Sequence, residues 1–207
     1  MSFKTIIAAI IAATLACGAP KPAKADYAEL MAGDKGTTLD MRVGVELAPK
    51  LNLFSINRTS VDYDNEVSYF GIVDLTYNLV DGLDLVMETQ AVPGMGVVER
   101  AGLQYFTAVG DLSIFAVGTC SLQENPDGEF VLNIGYTPSI TEDVKLTFGA
   151  EVVTNVGEQG HNFSEQRFRA GLKVDKYEFG AAVDMAEFGN EADLSYNIGG
   201  FARVTLD

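Results

Sequence analysis

From Leu39 onward, apolar and polar residues alternate along the chain with a period of two. The segment 67–79 shows this best, because every second residue from Val67 to Leu79 is apolar or glycine and the positions between are mixed or polar. Successive side chains point to opposite faces of a β-strand, so the pattern predicts strands with one apolar face. The same alternation recurs at 39–47, 129–137, 167–174 and 177–185.

The alternation predicts eleven long strands. They are expected at 38–48, 51–60, 67–79, 82–92, 97–109, 111–122, 128–138, 143–155, 164–175, 176–187 and 191–206. Segment 51–60 alternates poorly and is the weakest of them. Most are about 10 to 13 residues long, whereas strands in soluble sheets have about 5 to 6 residues. Tilted strands of about 9 to 11 residues cross a bilayer, so these lengths favour a transmembrane barrel.

The predicted connections alternate between short turns and longer polar loops. Turns are expected at 49–50, 81–82, 110–111, 139–143 and 175–176, and longer loops at 60–66, 93–96, 122–128, 156–163 and 188–191. Outer-membrane barrels have short periplasmic turns, longer outer loops and an even number of strands. A short strand at 27–32 completes twelve, with both termini periplasmic. Ten strands is the alternative if the hairpin at 51–60 does not form.

Periodicity alone does not decide which face of the sheet lies outside. In a soluble barrel the apolar face points inward, and in a membrane barrel it points to lipid. Tyr69 and Tyr77 lie on the apolar face, about 26 Å apart along a strand, which suits the aromatic girdles around a membrane band of about 25 Å. The sequence therefore predicts an all-β, antiparallel up-and-down transmembrane barrel. A soluble periplasmic barrel or sandwich is the alternative.

Residues 1–25 have the pattern of a signal peptide. Lys4 precedes an apolar run at 6–16, and Ala23-Lys24-Ala25 offers a small-residue cleavage site before Asp26. Cleavage there leaves residues 26–207 as a single barrel domain. A retained membrane anchor and lipid attachment at Cys17 are the alternatives. Cleavage also leaves Cys120 as a lone cysteine, which excludes an internal disulfide and predicts a small packing residue.

The chain is strongly acidic, with a formal net charge of −15, and lacks the basic patches of nucleic-acid-binding proteins. His161 is the only histidine, which excludes a His-based metal site. Ser164 lies close in sequence, but a spacing of three along a loop fixes no catalytic geometry, so a solvated histidine is expected. The acidic groups at 62–66 and 124–129 lack the EF-hand pattern and are expected to be solvated loops. No cofactor, metal or catalytic site is predicted, and we expect no enzyme activity.

The non-apolar face of the predicted strands carries glycines and charges of both signs. Inside a membrane barrel such side chains would line the lumen or pack as a polar plug. The residues predicted to line the lumen are Arg42, Glu46, Asp74, Glu88, Arg100, Glu151, Arg169 and Arg203.

The last strand alternates from Leu194 to Leu206, with an apolar residue or glycine at every second position. Together with the signal segment and the strand pattern, it resembles the small outer-membrane β-barrel proteins of Gram-negative bacteria and porin-like channels. Such chains often end in Phe, whereas this one ends in Leu206-Asp207, and Phe201 lies on the face opposite Tyr196.

The resemblance implies a chain exported to the outer membrane, in contact with outer-membrane lipids and inserted by the barrel-assembly machinery. It implies a small channel for ions or small polar solutes. The alternative is a closed structural or interaction barrel that presents acidic outer loops to a partner.

Overall fold

The computed structural model describes residues 26–92, 96–191 and 193–206. The predicted signal peptide, 1–25, lies outside the described residues. Within the described residues, no helix has the length and apolar character needed to cross a bilayer.

Twelve antiparallel strands follow one another along the chain. They are β1 Tyr27–Gly33, β2 Gly36–Ala48, β3 Leu51–Asp62, β4 Val67–Val80, β5 Leu83–Val92, β6 Gly96–Val109, β7 Leu112–Ser121, β8 Gly128–Tyr136, β9 Val144–Gly157, β10 Gly160–Val174, β11 Tyr177–Phe188 and β12 Asp193–Thr205. Each strand pairs with the next, and β1 also pairs with β12, which closes the barrel. The prediction of twelve strands rather than ten is confirmed. We call the end where β1 begins and β12 ends the terminal end, and the opposite end the loop end.

The outer wall of the barrel is apolar and the interior is polar. Large apolar side chains are exposed all around the outside, including Leu75, Tyr77, Phe130 and Phe168. Charged side chains at the alternate positions are buried inside. This is the inverse of a soluble barrel and the arrangement expected of strands that face lipid.

Strand β3 alternates poorly in sequence because its polarity is partly reversed. Phe54 pairs directly with Asp74, and Ile56 with Ile72, so these two apolar residues face inward with their partners. Asn57 lies on the outer face, where its amide donates to Ser55 and its oxygen accepts from the Tyr69 hydroxyl. The strand nevertheless forms along its full predicted length.

The predicted difference between short turns and long loops is wrong at two places. β8 ends at Tyr136 and β9 begins at Val144, so the expected short turn at 139–143 is part of a seven-residue connection at the terminal end. The expected long loop at 156–163 is a two-residue turn between β9 and β10. Continued pairing of His161 with Val156 extends these strands into the segment expected to be a loop.

Paired glycines allow neighbouring strands to approach closely inside the barrel. Gly171 lies directly opposite Gly180 across β10 and β11. A Cβ at Gly171 would lie 2.1 Å from the Phe179 carbonyl oxygen, and one at Gly180 would lie 2.1 Å from that of Ala170. The sheet therefore coils here in a way that only glycine permits.

Candidate functional site

The interior contains a dense ion-pair network on one half of the barrel wall. Six basic and six acidic side chains take part, contributed by β1–β3 and β9–β12. We define this ion-pair network as Arg42, Arg58, Arg167, Arg169, Lys173 and Arg203 with Glu29, Asp40, Glu151, Glu165, Glu178 and Asp184. The equal numbers leave the network without net charge.

Several pairs of the network reach across the lumen between strands that are not neighbours. Arg167 on β10 lies 2.6 Å from Asp40 on β2. Arg58 on β3 lies 2.8 Å from Glu165 on β10 and 2.9 Å from Glu151 on β9. Because β2 and β3 are separated from β9 and β10 by several strands in either direction, these contacts bridge the interior and narrow it.

Glu29 on β1 is the central acceptor at the barrel seam. Its side chain is almost fully buried. It accepts hydrogen bonds from Arg167 and Arg169 on β10, and from Arg203 on β12, the strand that pairs with β1 at the seam. One carboxylate thus compensates guanidinium groups from two other strands. Hydrogen bonds between ionised groups are stronger than neutral ones, so these contacts hold the three strands together.

The other half of the interior is acidic. It carries Asp74 on β4, Asp84 and Glu88 on β5, and Glu129 on β8, which we call the acidic wall. Asp74, Glu88 and Glu129 are buried. Between Arg58 and Lys145 the sequence contains fourteen acidic residues and a single basic one, Arg100, so basic partners are scarce on this side.

Amide groups provide most of the hydrogen bonds to the acidic wall. Gln90 donates to Glu88 at 2.8 Å and to Glu129 at 2.7 Å. Asp84 accepts from Asn78 and Gln104, each at 2.7 Å. Amides satisfy carboxylate oxygens but bring no positive charge, so the acidic wall has little positive charge beside it.

Arg100 joins the acidic wall to the loop end. It is almost fully buried, donates to the Asp127 carboxylate and lies 3.6 Å from Glu88. Burial raises the pKa of Asp127, but the hydrogen bonds from Arg100 and Asn155 outweigh this and hold its pKa below the ordinary value. The acidic group at 124–129 is therefore a solvated loop only in part, because Glu124 is exposed, whereas Asp127 is bonded to Arg100 and Glu129 faces the interior.

Seven of the eight residues predicted to line the lumen lie inside the barrel. Six of them are buried, Arg203 is half-buried, and Glu46 lies exposed at the terminal end. Pairing between β2 and β3 shifts between Glu46 and Ala48, so the regular wall ends at this point. The buried six are Arg42, Asp74, Glu88, Arg100, Glu151 and Arg169.

The predicted set omits several interior residues. Arg58 lies on β3, whose partly reversed polarity does not show from the sequence which side chains face inward. Glu29 lies on the short first strand, where few residues define a period. Glu165 is the second residue of the predicted strand 164–175, directly after the segment expected to be a long loop. Glu129 is different, because the alternation of β8 already places it on the face opposite the apolar residues.

The geometry of His161 differs from the solvated loop residue expected. A β-bulge between His161 and Phe163 brings its ring beside Ser164, with Nε2 2.8 Å from the Ser164 hydroxyl. Its Nδ1 lies 2.8 Å from the Gly189 carbonyl oxygen. Ser164 is buried and also hydrogen-bonds Thr154. The pair ties β9, β10 and the turn after β11 together at the loop end.

The structure also places the other residues that the sequence singled out. No group of three or more His, Cys, Asp or Glu side chains there is placed to hold a metal ion. Cys120 is a free cysteine, exposed on β7 rather than packed as expected.

Phe201 faces inward, where it packs with Met31 and Ala182.

Comparison with known proteins finds similarity in fold rather than in sequence. No family model matches the chain, and no curated protein matches it. Among solved structures, the KdgM porin superposes with a TM-score of 0.53 at 14% identity, covering 88% of this chain and 99% of that one. The NanC porin superposes with a TM-score of 0.55 at 11% identity, covering 88% and 98%. The chain has a porin-like outer-membrane barrel fold. As in the fold described above, the apolar wall lies outside and the charged side chains lie inside the barrel.

Proposed function

We propose that the protein is a passive, porin-like channel of the outer membrane for ions or small polar solutes. The observation that carries this proposal is the set of buried charged side chains inside a closed barrel whose outer wall is apolar. Outer-membrane lipids would contact that wall, and the barrel-assembly machinery would insert it. Nucleic acid is not an expected partner of so acidic a chain.

Conductance across a planar lipid bilayer tests the channel. The purified protein should give discrete unitary current steps in KCl, and the same preparation boiled before addition should give none. Absence of unitary steps from protein that migrates as a folded barrel would overturn the channel.

A closed interaction barrel is the second candidate, and the ion pairs that bridge the lumen favour it. It predicts a folded barrel without conductance. It also predicts that a partner binds the loop end. This binding should be lost when residues 63–66 are replaced by a neutral sequence. Replacing the turn at 158–159 extends the same test to the β9–β10 hairpin.

The proposed channel performs no chemistry. His161 and Ser164 are the arrangement that would contradict this, because a histidine nitrogen lies within hydrogen-bond reach of a serine hydroxyl. The Thr154 contact and the burial of Ser164 instead indicate a structural role. A fluorophosphonate probe should therefore leave Ser164 unmodified, and labelling that disappears in Ser164→Ala would show that the protein is an enzyme.

The proposed solute differs from the ligand found in complex with one structural neighbour. A KdgM structure that superposes on this chain with a TM-score of 0.52 at 12% identity is described in complex with disordered oligogalacturonate. Galacturonate residues carry carboxylates, which the acidic wall of this barrel would repel. We therefore propose solutes other than acidic oligosaccharides.

A further inference from the structure

We propose that the acidic wall forms a pathway for hydrated cations through the lumen, beside the neutral ion-pair network. This rests on the proposed channel function and specifies its solute. The two halves of the interior differ in kind: one pairs six bases with six acids, and the other presents Asp74, Asp84, Glu88 and Glu129 with Arg100 as its basic residue.

The acidic residues are spread along the barrel from end to end. Asp84 is the second residue of β5 at the terminal end, and Glu88 follows about 13 Å further along the same strand. Asp74 is the direct cross-strand partner of Glu88. Glu129 is the second residue of β8, at the loop end, and shares the Gln90 amide with Glu88. Together they form a ladder of carboxylates rather than a single cluster.

The ladder has an unsatisfied acceptor at its centre. Asp74 is 7% exposed, and its Oδ1 has no hydrogen-bond partner among the described residues. Its neighbour across the strands is another carboxylate, Glu88. Buried carboxylates without a positive partner are costly. A proton shared between the adjacent Asp74 and Glu88 carboxyl groups relieves part of that cost, and a mobile cation in the lumen relieves the rest.

The cations would stay hydrated rather than bind as a coordinated metal. No described group of carboxylates is placed close enough to hold a metal ion. A lumen lined by one sign of charge with apolar material behind it instead focuses the field and concentrates counter-ions. Because the ion-pair network is neutral, it does not offset that field.

Reversal potentials in an asymmetric KCl gradient test the pathway. With the purified wild-type protein, the field should give a cation-to-anion permeability ratio of about 10 or more. The double variant Asp74→Asn with Glu129→Gln should bring the ratio toward unity while unitary steps persist. The single variant Asp74→Asn should lie between them.

Two acidic residues of the outer wall provide a matched control. Glu99 on β6 pairs with Thr89 on the outer face, and Glu187 pairs with Ser164 on the outer face of β11. Glu99→Gln with Glu187→Gln replaces the same number of carboxyl groups as the interior double variant but leaves the lumen unchanged. This control should keep the wild-type ratio.

The outcomes separate this inference from the function on which it rests. No unitary steps from folded wild-type protein would overturn the channel itself. Steps with an anionic or neutral preference in the wild type would overturn the cation pathway alone, whether or not the variants fold. An equal loss of selectivity in the interior and outer-wall variants would also overturn it, since the effect would then follow net charge rather than the acidic wall.

Discussion

At the scale of single residues, the interior depends on carboxylates that each compensate several guanidinium groups. Glu29 is the clearest, because it accepts from arginines of both β10 and β12 while almost fully buried. Removing one partner of a buried ion pair is far more costly than removing an exposed charge, because the remaining charges stay buried without compensation.

Glu29→Gln should lower the free energy of unfolding by about 3–5 kcal/mol, because Arg167, Arg169 and Arg203 would share a neutral amide. Urea titration of the folded barrel in lipid vesicles measures this. Glu46→Gln, at an exposed position of the terminal end, is the control and should change stability by less than about 0.5 kcal/mol. Equal unfolding midpoints for the two variants would contradict the central role of Glu29.

Asp127 should make stability depend on pH at the loop end. Hydrogen bonds from Arg100 and Asn155 hold its pKa below the ordinary value in the folded state. Its contribution is therefore complete above the unfolded pKa of about 4 and is lost as the pH falls through the lowered folded value.

The difference in stability between wild type and Asp127→Asn should be present at neutral pH and shrink in acid. Unfolding titrations at a series of pH values measure it. Asp64→Asn, in the exposed loop at 63–66, should match the wild type throughout. If the stability difference between wild type and Asp127→Asn grew as the pH fell, the Asp127 pKa would be raised on folding rather than lowered.

At the scale of elements, the strands follow from the sequence more directly than their contacts do. Period-two alternation sets the number of strands and the facing of most side chains. The facing of the β3 side chains does not follow from alternation, because Phe54 and Ile56 face inward and leave the strand without a clear period. The contact of Glu29 with Arg167 joins residues 138 positions apart. It depends on how far neighbouring strands shift when the sheet closes, which alternation within single strands does not encode.

The glycine pair on β10 and β11 provides a test at this scale. Gly180→Ala should destabilise the barrel by about 1–3 kcal/mol, because the added Cβ would overlap the Ala170 carbonyl oxygen and force the strands apart. Gly149→Ala is the matched control on β9, since its Cβ would meet Arg169 at an ordinary 3.7 Å. Gel migration with and without heating, over a range of temperatures, compares the two. Equal melting would mean that the close approach is not needed.

At the scale of the whole molecule, the ion-pair network and the acidic wall divide the lumen between them. The network bridges the interior, and Arg58 is the side chain that joins β3 to both β9 and β10. The width available to a solute is therefore set by side chains as well as by the number of strands.

Arg58→Gln should increase the unitary conductance, because its shorter side chain withdraws from Glu151 and Glu165 and opens the lumen. Single-channel recording measures the change. Lys173→Gln is the control, because Lys173 pairs with Glu178 on the adjacent strand and bridges nothing. A conductance unchanged in Arg58→Gln would show that the network does not limit the pathway.

The seam between β1 and β12 also bears on how the barrel is built. Glu29 arrives with the first strand, whereas its arginine partners lie on β10 and β12. Until the two ends of the sheet meet, those guanidinium groups lack this carboxylate. Charge compensation is then completed by the same event that joins the last pair of backbone ladders, so a half-closed sheet gains little from Glu29. Closure should behave as a latch, and Glu29→Gln should slow the final step of insertion more than the formation of earlier hairpins.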